Sequence, residues 1–131
     1  MIVTLRVSSS FEFIRKAAIA RRCLAYQELV DANGHRWSEG VWLQLAAHME
    51  ELVWFSHRRS LPMLTAIVLP AETLRHQTLT MVALRDFEAA ARQIGHRFES
   101  GWAFHRQQKG LVFEWGLRGA PCDGRPAHSA A

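Results

Sequence analysis

Two long stretches with apolar residues at helical spacing lead into Leu61-Pro62-Met63-Leu64-Thr65-Ala66-Ile67-Val68-Leu69-Pro70. This run constrains the fold more than any other part of the chain. Met63 to Leu69 reads as a continuous apolar run that includes only one hydroxyl residue, Thr65, is β-branched at its centre and is closed by proline at both ends. It is too short for an ordinary buried helix, and proline blocks helical continuation, so it reads as a buried strand. A buried strand needs pairing partners for its backbone groups. Ile2 to Val7, which alternates in polarity, is the nearest candidate.

The first helical stretch begins after Ser8-Ser9-Ser10. Ser9 with Glu12 matches a capping box. Phe11, Ile14, Ala18, Ala25 and Leu29 share one face, and Asn33-Gly34 ends it. Ser38-Glu39 opens the second helix. Trp42, Leu45, Ala46, Met49, Leu52, Val53 and Ser56 form its expected buried stripe. Arg58 and Arg59 suit the negative end of that helix, and Pro62 stops it. Residues 70–81 read as a loop with a short strand at Thr78 to Val82. Leu84, Phe87, Ala90, Ala91 and Ile94 predict a third helix ended by Gly95. Phe98, Trp102, His105 or Arg106, Lys109 and Phe113 predict a fourth, with Gly110 as a point of weakness.

The expectation is an α+β fold, mainly helical, with about four helices and a small two- or three-stranded sheet. At 131 residues, 49% hydrophobic, the chain suffices for one domain without disulfide or metal staples. Residues 1–117 form that domain. Residues 118–131, rich in Gly, Pro, Ala and Ser, are expected to be a disordered tail. No apolar run approaches the roughly 18 residues of a membrane span. Met1 to Val7 lacks the pattern of a signal peptide, which predicts a cytoplasmic protein. Cys23 and Cys122 then read as free thiols.

Motifs for chemistry are sparse. His48, Glu51 and His57 lie on the second helix at spacings a metal site can use, but no paired-histidine zinc signature is present, so no metal or other cofactor is expected. Gly-x-Ser-x-Gly and the glycine-rich phosphate loops are missing. Glu50 and Glu51 adjoin and point about 100° apart on a helix, so they cannot face one substrate together. Ser38 and Ser100 read as helix starts, and Cys23 beside Arg21 and Arg22 as a small hydrophobe. The chain is therefore expected not to be an enzyme.

Binding is the better reading. The net charge is +4, and arginine outnumbers lysine fourteen to two. A GC-rich genome explains the ratio; the positive excess favours an anionic partner. Candidate partner-binding residues are Arg15, Arg22, Arg58, Arg59 and Arg75, together with Trp37 and Trp102, which open or precede helices. Solvation and helix-end complementarity compete with that role for the arginines, and a hydrophobic staple competes for Trp37.

The segment from Arg59 to Leu69 resembles an element of small uncharacterised bacterial and prophage proteins. In these, a Leu-Pro-x-Leu-Thr/Ser-Ala-hydrophobic strand follows two helices, and a helix rich in Trp and Glu closes the domain. Phe113-Glu114-Trp115 resembles that closing element. The likeness spans roughly residues 20 to 117 and departs from the pattern at Pro70-Ala71-Glu72-Thr73, where a glycine-bearing loop would stand. It implies a mobile-element or host–phage context and carries no active site. The expected function is thus a non-enzymatic interaction protein that binds a nucleoprotein machine or an acidic protein, for example a CRISPR-type inhibitor. A direct nucleic-acid-binding regulator is the alternative, although no clean helix-turn-helix is visible. Homodimerisation is left open.

Overall fold

The computed structural model describes residues 4–122. It is mainly helical with a minimal sheet: α1 (Val7–Ile19), β1 (Leu24–Ala25), α2 (Tyr26–Ala32), α3 (Glu39–Arg58), β2 (Val68–Leu69), α4 (Met81–Gln93) and α5 (Gly101–Leu117). Two 3-10 helices, Leu64–Ile67 and Ala71–His76, flank β2. The described residues thus hold five α-helices rather than four.

The first helical stretch is not one helix. Arg21 turns into the left-handed region at φ 56°, and the Arg22 amide donates back to the Ala17 carbonyl. Cys23, Leu24 and Ala25 follow, all buried. Three consecutive buried positions cannot lie on one stripe of a helix, whereas an extended segment inserted into the core buries both faces. β1 therefore interrupts the helix and pairs in parallel with β2, Leu24 opposite Val68 and Ala25 opposite Leu69. Glu28 then accepts from the Ala25 amide at 2.7 Å and starts α2. Gly34, at φ 81°, follows the end of α2 at Asn33, as the Asn-Gly pair predicts.

Residues 4–7 form no strand. Val7 already belongs to α1, so the Ser9–Glu12 capping box does not form, and Glu12 pairs with Arg15 instead. Met1 to Val3 lie outside the described residues. The proline-bounded run is wholly buried from Met63 to Leu69, as expected, but only Val68 and Leu69 are strand. Part of its backbone is satisfied by side chains of α5. Gln108 Oε1 accepts from the Met63 amide at 2.9 Å, and His105 Nε2–H donates to the Ala66 carbonyl at 2.8 Å. Two buried polar side chains thus stand in for ladder bonds, which is how so short a sheet can sit in the core.

Thr78 to Val82 is not a strand either. Thr80 caps α4 through the Ala83 amide. Ser38 and Ser100 cap α3 and α5 in the same way. Gly110 lies within an unbroken α5. Gly116 has a packing role: a Cβ there would overlap the Ala18 carbonyl, so it permits the close approach of α1 and α5. Trp115 is fully buried beside it.

The start of the expected tail is docked. Ala120 is buried, the Trp115 indole N–H donates to the Pro121 carbonyl at 2.9 Å, and Arg15 and Arg59 donate to the carbonyls of Ala120 and Cys122. The remainder, from residue 123 on, lies outside the described residues. Among the described residues no helix is long and apolar enough to cross a membrane.

Candidate functional site

The expected stripe of α3 is rotated. Val41, Leu45, His48, Leu52, Val53 and Ser56 face the core, while Trp42 is 53% exposed and Leu43 75% exposed. Trp42 was expected inside. Its position allows the fifth-residue contact of a hydrophobic staple: Trp37, just before the Ser38 cap, packs on it with ring centroids 5.8 Å apart. The staple does not bury the pair, because both rings stay open to solvent.

Trp42 also borders an open apolar groove of about 460 Å³ between α3 and α4. Leu45, Val53, Val68 and Phe87 supply its buried part, and Leu43, Ala46 and Met49 line it from α3. Ala83, Ala89 and Ala90 line it from α4. Small side chains on α4 leave the space between the helices unfilled. Two carboxylates, Glu50 of α3 and Asp86 of α4, also line the groove, and among the described residues no Lys, Arg or His does. The Tyr26 phenol lies there too. Burial, reinforced by the nearby Asp86 carboxylate, pushes its pKa up to about 12, so it remains a neutral hydroxyl.

Three of the five candidate arginines make local structural contacts. Arg15 donates to the Ala120 carbonyl at 3.0 Å and pairs with Glu12 at 3.1 Å. Arg22 pairs with Glu28, the same side chain that starts α2. Arg59 lies over the Phe55 ring, 4.5 Å from its centroid, and holds the Cys122 carbonyl. Arg58 and Arg75 are exposed and make no ion pair among the described residues. The structure therefore joins Arg15 and Arg59 through the docked residues 120–122 rather than through a shared anion site. Trp102 is 41% exposed in the first turn of α5, and no ring contact links it to Trp37 or Trp42 among the described residues.

His48, Glu51 and His57 do not converge. His48 is buried, Glu51 and His57 are exposed, and no group of metal-ligating residues forms among the described residues. Instead Ser10 Oγ lies 2.6 Å from His48 Nε2, and the Asn33 amide donates to the same Ser10 oxygen at 2.9 Å. The Asn33 carbonyl oxygen accepts from the Arg6 amide. This chain of bonds ties α1, the end of α2 and α3 together. Ser10 and His48 are both buried, and their contact packs α1 against α3. Burial holds the His48 imidazole below its ordinary pKa, against the opposing pull of Glu51.

Comparison with protein-family profiles, with curated proteins and with solved structures returned no match. The resemblance to prophage proteins therefore rests on the sequence pattern alone.

The sequence missed the groove because it is a property of two helices side by side. One signal for it was available: the alanines at 83, 89 and 90 leave little side-chain volume on a helix whose partner carries tryptophan and leucine.

Proposed function

We propose that this protein is a non-enzymatic interaction module that receives a segment of a partner protein in the groove between α3 and α4. The observation that carries this reading is the open apolar groove beside the exposed Trp42 and Leu43. Exposed apolar clefts with tryptophan at the edge are favoured places for protein contacts, because desolvating large rigid side chains returns much free energy at little entropic cost. The mobile-element resemblance suggests a protein component of a nucleoprotein machine as the partner, as a CRISPR-type inhibitor would require.

The charge-led alternative, direct binding of nucleic acid, is supported by the +4 charge and by Arg58 and Arg75, which are exposed and make no ion pair among the described residues. It is weakened by the local contacts of Arg15, Arg22 and Arg59. Parallel captures from the native host separate the two. Ala46→Arg places a charge in the groove at an exposed position, and Arg58→Glu with Arg75→Glu reverses two exposed cations that make no ion pair among the described residues. A partner lost by Ala46→Arg and kept by the charge reversal is the expected result. Loss on charge reversal alone, with a steep salt dependence in gel shift, favours nucleic acid and overturns the groove reading.

A further inference from the structure

The groove has a charge of its own. The chain carries +4, yet among the described residues every charged side chain that lines this cleft is acidic. Glu50 comes from α3 and Asp86 from α4, so the apolar strip has a carboxylate on the helix at either side. Both side chains are exposed, and neither makes an ion pair among the described residues. An anionic partner would meet two like charges here, which opposes its approach. A cationic one would find two acceptors beside a surface that sheds water on contact.

The shape narrows the partner further. Lining residues on α3 run from Trp42 to Val53. At 1.5 Å per residue that is a trough of roughly 16 Å, the length of about three helical turns. Two helices separated by small residues leave a seat for a third, and a helix presents apolar side chains at i, i+3, i+4 and i+7 to fill it.

We infer that the groove is built for a cationic amphipathic helix: about three turns, an apolar stripe on the Trp42–Leu45–Phe87 side, and Lys or Arg on both borders of the stripe to meet Glu50 and Asp86. This rests on the docking reading above and adds the chemistry of the occupant. It opposes the expectation of an acidic partner drawn from net charge, because the local field at the contact, not the whole-chain sum, decides which charge is accepted.

The test is selection from a displayed library of helical peptides with a fixed apolar stripe and randomised border positions, panned on the intact protein. Enrichment of Lys and Arg at both borders is the expected result. The enrichment should vanish when the same library is panned on Glu50→Gln/Asp86→Asn, and a selected peptide should bind that variant roughly tenfold more weakly. Peptides enriched without border bias, or with acidic borders, and still lost on Ala46→Arg would overturn the cationic inference and leave the groove reading standing. Peptides recovered equally by wild type and a folded Ala46→Arg would overturn both, as would recovery of no binder. Concentration-dependent self-association abolished by Ala46→Arg would give the groove to a second copy of the chain and overturn the inference by that route.

Discussion

Ser10 of α1 and His48 of α3, far apart in sequence, meet in the core with Oγ and Nε2 2.6 Å apart. Asn33 donates to the same serine oxygen, and His48 Nδ1 has no hydrogen-bond partner among the described residues, so Ser10 carries the ring's one polar contact. The contact satisfies one end of a buried imidazole and leaves the other without a protein partner among the described residues.

Ser10→Ala strips that end as well. A buried polar group left unsatisfied costs about 1–3 kcal/mol, so the variant should unfold at correspondingly lower denaturant. The double variant Ser10→Ala/His48→Leu removes both polar groups and should recover part of the loss. A single variant as stable as wild type, measured by urea unfolding, would show that the contact contributes nothing.

Acid should weaken the fold through two histidines. Burial drives His105 from the ordinary 6.5 to about 4, the bond to the Ala66 carbonyl opposing and Lys109 assisting, and burial lowers His48 as well. A depressed base binds fewer protons folded than unfolded, so stability is intact above about pH 6.5 and declines as pH falls toward 4. For His105 alone the full loss is on the order of 3 kcal/mol. Denaturant midpoints measured from pH 7.5 to 4 should fall in that window, and the His105 ring signals should titrate near pH 4 by NMR. A ring that titrates near 6.5 in the folded protein contradicts the prediction.

Truncation after Leu117 should be costly, contrary to the expectation of a dispensable tail. It removes the buried Ala120 and strands the indole N–H of the fully buried Trp115, whose acceptor is the Pro121 carbonyl. A loss of about 1–3 kcal/mol is expected from the unsatisfied donor. Ending the chain at Cys122 instead keeps both contacts and should restore the melting temperature. If thermal unfolding of both truncations matches the intact chain, the docked residues 118–122 carry no stability.

Local chemistry settled what it could reach from the sequence alone. Ser38, the terminal arginines and Pro62 bound α3; Gly34 and Gly95 sit just past α2 and α4; Met63 to Leu69 is buried because six apolar residues and one threonine between prolines have nowhere else to go. Caps, breakers and apolar runs act over a few residues, so a few residues often suffice to read them, although the Ser9–Glu12 box and the break at Gly110 did not form. Long-range contacts decided the rest. The split between α1 and α2 exists because Leu24–Ala25 pairs with Val68–Leu69, and His48, His105 and Gln108 lie inside because distant partners accept or donate there. Trp42 faces outward because the α3 stripe turns toward Val41, Leu45 and His48, and the periodicity alone admitted either rotation. The acidic groove belongs to this second class: Glu50 and Asp86 become a pair only when α3 and α4 lie side by side, and no spacing along the chain encodes that neighbourhood.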